Sequence, residues 1–295
     1  MQQSDQICAA DSSLLCVRYH PELKLIACSS ECGAVFILNS RCVTEFKVKL
    51  SDTDVTSLAF GHEHNLFAST EQFVYEIDLK SGSKTDRKWQ IGREEINHIA
   101  INPAGTKLAA ADDDGRIRVV PIGKGAKGGV KAFRAKHENL VSSVEWVNEA
   151  LLVSCSADQS AKSWHAREQK CVKTLDVSDF KNQCRDNSKV NVSPPLLHTL
   201  TLLEPAFVAL GGENGNIMIN KLENGRLSTA KTGTAIYTGA HQFGIGALAA
   251  RRTSDGEWEM ISGGNDSQVK VWSVGLGQMG AQLKARLVLT LKKIN

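Results

Sequence analysis

Proline is scarce in this chain, with 6 residues in 295, and aromatic residues make up only 6%. An excess of either charge is also missing. The 35 Lys and Arg against 32 Asp and Glu leave a formal net charge of +3, too little to imply nucleic acid, and no direct nucleic-acid binding is expected. No apolar run approaches the length of a membrane span, so no membrane partner is expected. The opening segment, MQQSDQICAADSSLLCVRYH, lacks a basic stretch followed by an apolar one and does not read as a secretory signal. CxxC pairs are absent among the eight cysteines, Cys8, Cys16, Cys28, Cys32, Cys42, Cys155, Cys171 and Cys184. Reduced cysteines serving as small hydrophobes fit that spacing, which points to an intracellular protein, cytoplasmic or nuclear, rather than a disulfide or zinc scaffold. Helical periodicity is nearly absent as well.

What the chain does have is a repeat. LLVSCSADQSAKSWHA (151–166) and MISGGNDSQVKVWSV (260–274) each run from an apolar strand through small residues and a polar turn to an alternating strand that ends in Trp. KLAAADDDGRIRVVPI (107–122), FVALGGENGNIMINKL (207–222), KLIACSSECGAVFILNS (24–40) and NLFASTEQFVYEIDLKSG (65–82) share the shape without the Trp. A short alternating strand precedes each copy: LLCVRY (14–19), VTSLAF (55–60), INHIAI (96–101), VSSVEW (141–146), LLHTLT (196–201) and IGALAA (245–250). A fourth run follows, as in CVTEFKV (42–48) and CVKTL (171–175). Four strands recurring at roughly 40–45 residues predict stacked antiparallel blades, which cover their own edges and faces by radial packing. The expectation is an all-β propeller with six recognisable blades and a seventh incomplete or absent, forming one domain over 1–295. The disc would close by pairing residues near 5–10 with RLVLTL (286–291). Asp114-Gly115 and Asn214-Gly215 read as two-residue hairpin centres with positive φ at both positions.

By these repeats the chain resembles the WD-repeat family over almost its full length. The resemblance implies a buried His–Ser–Asp–Trp tetrad in each blade, in which the Asp orients the His and the Ser links it to the indole N–H. His137, Ser154, Asp158 and Trp164 take these places in the fourth repeat, and His241, Ser262, Asp266 and Trp272 in the sixth. The Ser, Asp and Trp spacing is identical in the two. In the other four repeats Leu38, Ile77, Val120 and Asn220 stand near the Trp place, so those blades rest more on apolar packing.

Other segments invite chemistry and are better read as structure. Asp112-Asp113-Asp114-Gly115 has consecutive acids and Gly123 at the twelfth position, unlike a calcium loop, and reads as a hairpin turn. Gly123 to Gly129, GKGAKGG, lacks the GK[ST] ending and precedes a strand, so it reads as a basic, flexible inter-strand loop rather than a phosphate cradle. His62-Glu63-His64 is not a metalloprotease spacing. The polar connector 176–195, DVSDFKNQCRDNSKVNVSPP, reads as a mobile excursion between the fourth and fifth repeats. Neither a GxSxG elbow nor a convincing Cys/His pair is present. No catalytic, metal or cofactor residue is assigned, and no cofactor is expected.

The family resemblance implies a non-catalytic protein-interaction scaffold. The order of DVTSLAF, LVSCSADQS, SPPLLHTL and GGNDSQVKVWSV resembles one subgroup of that family. For it the resemblance implies a substrate receptor that docks on the damaged-DNA-binding adaptor of a cullin–RING ubiquitin ligase. Receptors of that class carry Trp-Asp-x-Arg after a blade's third strand. This chain has Trp164-His165-Ala166-Arg167, with His in place of Asp, and Asp78-Leu79-Lys80, with Lys in place of Arg. Arg167, Asp78 and Lys80 are therefore the candidate docking residues. Two other readings stand beside it: a metal-dependent propeller hydrolase, which the clustering of acids at turns argues against, and a reader of peptides or histone tails.

Overall fold

A computed structural model describes residues 12–290 apart from 63, 124, 127, 179–195, 204–205 and 278–279. The expected all-β class is what it shows: six antiparallel sheets, each a propeller blade, with a 3-10 turn at Lys231–Gly233. Blade 1 runs β1 (Leu14–His20), β2 (Leu25–Ser30), β3 (Ala34–Leu38), β4 (Thr44–Lys49). Blade 2 is β5 (Ser57–Phe60), β6 (Asn65–Thr70), β7 (Phe73–Asp78), β8 (Ser83–Gln90). Blade 3 is β9 (Ile96–Ile101), β10 (Lys107–Asp112), β11 (Ile117–Pro121), β12 (Lys131–Ala132). Blade 4 is β13 (Val141–Trp146), β14 (Leu151–Ser156), β15 (Ser160–His165), β16 (Lys170–Asp176).

Blade 5 departs from the four-strand pattern. After β17 (Leu197–Leu203), β18 (Phe207–Gly212) and β19 (Ile217–Glu223), a two-residue β20 (Arg226–Leu227) pairs with the end of β19. Then β21 (Thr234–Tyr237) returns to pair with the start of β19, so two short strands do the work of one. Blade 6 is β22 (Ile245–Arg252), β23 (Trp258–Gly264), β24 (Gln268–Gly277), β25 (Gly280–Thr290). Residues 286–290 of RLVLTL lie in β25, which pairs with β24; Leu291 and the expected partner near 5–10 lie outside the described residues. Most of the connector 176–195 lies outside them too.

The chain divides into two compact units, Met1–Asp113 with Arg118–Lys131, and Asp114–Ile117 with Ala132–Asn295. Within the first, Val35 and Ile37 of blade 1 pack with Leu58, Leu66 and Ile77 of blade 2. The opposite face of blade 2, through Phe67 and Val74, meets Ile99, Leu108 and Val120 of blade 3. Within the second unit, Val153 and Cys155 of blade 4 pack with Leu200, Val208 and Met218 of blade 5. Phe207 and Ile219 then pack with Met260 and Trp272 of blade 6. Because blade 5 packs on blade 4 by one face and on blade 6 by the other, its second strand is not alternating: all six residues of β18, FVALGG, are buried.

The hairpin turns correct one expectation. Gly115 and Gly215 have positive φ, at 78° and 72°, but Asp114 and Asn214 do not, so these are not turns with both central residues left-handed. The strands end at Asp112 and Gly212 and resume at Ile117 and Ile217, leaving a longer turn with one left-handed residue. Gln159 and Ser267 take that conformation at the matching place in blades 4 and 6, and Gly33 in blade 1. The reason is a backbone approach. The Gly115 carbonyl accepts the His137 N–H at 2.8 Å and the Gly215 carbonyl accepts the His241 N–H at 2.9 Å. A Cβ on Gly215 would lie 2.1 Å from the His241 carbonyl oxygen. Each turn thus pins the segment that enters the next blade.

Candidate functional site

In blade 4 the structure brings all four tetrad residues together. Trp164 Nε1 donates to Ser154 Oγ at 2.8 Å, and Ser154 Oγ lies 2.8 Å from His137 Nε2. His137 Nδ1 lies 2.9 Å from Asp158 Oδ2. With the Ser hydroxyl donating to Nε2, the ring carries its proton on Nδ1 and donates it to the carboxylate. Burial pushes the His137 pKa down and keeps the ring neutral. Burial also acts to raise Asp158. The His137 contact, the Ser160 hydroxyl and the Glu138 N–H outweigh it and hold this carboxyl well below the usual range. Ser160, which the sequence reading did not single out, donates its hydroxyl to Asp158 at 2.7 Å and lies 3.1 Å from His137 Nδ1.

Blade 6 repeats the chain. Trp272 Nε1 donates to Ser262 at 2.8 Å, Ser262 lies 2.7 Å from His241 Nε2, and His241 Nδ1 lies 2.9 Å from Asp266. Asp266 is held low as well: burial raises it, and the N–H groups of Gln242 and Gln268 and the His241 ring lower it further. Gln268 stands where blade 4 has Ser160, so no hydroxyl backs up this carboxylate from that position.

The Ser–His–Asp order and distances are those of a nucleophilic triad, yet the chemistry available is different. His137 and Ser154 are 0% exposed, and the Ser oxygen is already engaged by an indole donor. A nucleophile needs an approach for substrate; a fully enclosed hydroxyl acts as a structural relay. Among the described residues no group of three or more His, Cys, Asp or Glu is placed to hold a metal ion. Asp112, Asp113 and Asp114 diverge. Asp112 is buried against Arg118, Asp113 accepts from Asn97 at 2.8 Å, and Asp114 pairs with Arg116 at 2.6 Å and Lys136 at 3.4 Å.

The blades without the Trp use other polar links that the repeat pattern concealed. Asn220 is fully buried at the Trp place of blade 5. Its Nδ2 donates to the Ser228 carbonyl at 2.9 Å and to Thr234 Oγ1 at 2.8 Å, and its Oδ1 accepts the Ser228 N–H at 3.0 Å. One side chain thereby ties β19 to β21 and to Ser228, the residue that follows β20. Leu38, Ile77 and Val120 are buried, the apolar substitution expected of them. In blade 2, buried Glu76 pairs with Arg87 at 3.1 Å and accepts from Asn65 at 2.6 Å, while Arg87 donates to the Ile122 carbonyl of blade 3 at 2.5 Å. The signal for Glu76 was an acid at an inward place of an apolar strand.

Of the candidate docking residues, Arg167 is exposed in the turn between β15 and β16. His165 bonds within the same turn: its Nδ1 accepts the Glu168 N–H at 3.2 Å, and Glu168 pairs with Lys170, whose contact holds the carboxyl below its usual range. Asp78 closes its own turn. Its Oδ1 accepts the Lys80 N–H at 3.0 Å, and that bond is the main cause of its lowered pKa. Lys80 is exposed in the same turn. No helix is long and apolar enough to cross a membrane among the described residues.

Compared with known proteins, the chain matches the WD domain, G-beta repeat model at residues 88–120 and 233–273. It is 22% identical over 287 residues to the WD repeat-containing protein 53 homolog of Dictyostelium discoideum, covering 89% of this chain and 75% of that protein. It is 21% identical to ribosome biogenesis protein YTM1 of Coprinopsis cinerea, covering 91% of this chain and 73% of the relative. Similarity to protein transport protein SEC13-2 of Candida glabrata is 25% over 197 residues, 60% of each chain.

Proposed function

We infer that this chain, which carries WD40 repeats, is a non-catalytic protein-interaction scaffold, working inside the cell on other proteins and needing no cofactor. The observation that supports this best is the fate of its reactive-looking groups. Both Ser–His–Asp sets are enclosed and closed by Trp donors, so the chemistry of the blades is spent on holding them together. What remains for function is the exposed turns and strand edges, which is where partner contacts are made on rigid repeat scaffolds. The relatives' printed names, in ribosome biogenesis and protein transport, are compatible with that reading.

The finer proposal is docking on the damaged-DNA-binding adaptor of a cullin–RING ligase through Arg167. Its guanidinium stands exposed on the turn and is suited to a bidentate bond with an acidic or carbonyl-rich surface, which Lys imitates poorly. His165 supplies no carboxylate to hold it, so docking is weak. A pull-down of the adaptor with wild type and Arg167→Ala tests this. The expected result is recovery by wild type and loss with the variant. Equal recovery removes Arg167 from the mechanism; recovery by neither leaves the scaffold reading without the ligase.

A further inference from the structure

The first unit contains a cleft of about 470 Å³ that neither the repeats nor the docking residues explain. It lies within the roughly 300–1,000 Å³ typical of ligand pockets. Its walls are three successive hairpin turns, β1–β2, β5–β6 and β9–β10, so each of three neighbouring blades contributes one side. Three of the chain's eight histidines, His20, His62 and His64, line it.

The walls are fixed before any ligand arrives. The His20 ring stands edge-on to Phe60 with centroids 5.1 Å apart, and its Nδ1 accepts the Leu23 N–H at 3.2 Å. His62 Nε2 donates to the Pro103 carbonyl at 2.9 Å, bridging two turns. Gly105 makes room for that ring: with φ at +67°, a Cβ there would fall 2.1 Å from it. His64 itself sits in the left-handed region, at φ 67°, its carbonyl held by the Leu79 N–H at 2.9 Å.

The chemistry of the lining selects the ligand. Glu22 is its only formally charged side chain among the described residues; neither Lys nor Arg lines it. Tyr19, 58% exposed, and Phe60 line it with aromatic rings. The Glu22 carboxylate beside aromatic rings is complementary to a cation with N–H donors. We propose that this cleft takes a basic side chain, Arg in preference to Lys, projecting from a partner protein. The planar guanidinium can stack on a ring while its in-plane fork donates to a carboxylate such as that of Glu22, a combination the ammonium makes less well. The site is separate from Arg167, so it stands or falls independently of the adaptor.

The test is fluorescence polarisation of the whole chain with a labelled peptide of alternating Gly and Arg, alongside Lys and Glu versions. The Arg peptide should bind more tightly than the Lys peptide, and the Glu peptide not at all. Glu22→Gln and Tyr19→Ala should each weaken Arg-peptide binding by about fivefold or more. Arg167→Ala and Glu45→Gln, an exposed change on β4, should leave it unchanged. Equal binding by wild type and Glu22→Gln, or equal binding of the Glu peptide, overturns the proposal.

Discussion

Removing the tetrad carboxylates one at a time should separate buried acceptors from ordinary turn acids. Asp158 accepts from His137 Nδ1 at 2.9 Å, the Glu138 N–H at 2.9 Å, the Ser160 N–H at 2.9 Å and the Ser160 hydroxyl at 2.7 Å. In Asp158→Ala, water can reach the Glu138 N–H, which is exposed, but not the enclosed His137 ring. An unsatisfied buried donor costs about 1–3 kcal/mol. Ser160 Oγ, 3.1 Å from Nδ1, can turn to accept the orphaned proton, so the blade 4 variant should fall near the lower end. Asp266→Ala has no such substitute, with Gln268 at the matching place, and should fall near the upper end. Asp113→Ala removes an exposed acceptor from Asn97 and should stay within about 0.5 kcal/mol of wild type. The predicted order of destabilisation by urea unfolding is Asp266→Ala, then Asp158→Ala, then Asp113→Ala. Equal shifts for all three would refute the reasoning, and a larger loss at Asp158 than at Asp266 would refute the compensation by Ser160.

Acid should weaken the fold in two stages. His137 has a folded pKa below its unfolded value of about 6.5, so the unfolded chain takes up more protons as pH falls through that value and stability declines. Asp158 and Asp266, held low when folded, add a second decline as pH falls below about 4, and urea midpoints from about pH 7.5 to about 2.5 should trace both; flat stability across that range would contradict the assignment. Asn220→Leu should cost about 1–3 kcal/mol by taking the Nδ2 donor from the Ser228 carbonyl and the Thr234 hydroxyl, despite adding an apolar group at a buried place, and a stabilised variant would show that packing governs there. Gly215→Ala should be worse than Gly239→Ala. Both have positive φ, but only at Gly215 would the new Cβ strike a backbone oxygen, and the difference in melting temperature isolates that approach.

The blades were legible because their strands carry the repeat in short-range form: small residues, a polar turn, then an alternating strand. Strand ends fell within a few residues of the sequence reading, as at Leu14–His20 and Leu151–Ser156. Blade 5 was not legible in full, since β20 and β21 are too short for alternation to show and are joined by Asn220, a residue that simply looked like a missing Trp. The tetrads could be placed from spacing, but Ser160 could not, because a Ser after a turn is commonplace and its value lies in a 2.7 Å contact. Arg87 was hidden for a related reason. Its role depends on a carbonyl in the next blade, 35 residues away, and no local pattern encodes that. The three-histidine cleft likewise assembles from turns about 40 residues apart, each unremarkable alone.

The claim that this chain serves by binding other proteins is tested most directly by affinity purification of the tagged chain, with the eluate passed through size exclusion and identified by mass spectrometry. The account predicts that defined protein partners co-elute with the chain in fixed proportion at physiological salt. A chain that emerges alone at its own mass of 32.0 kDa, from the cells in which it is made, would contradict it.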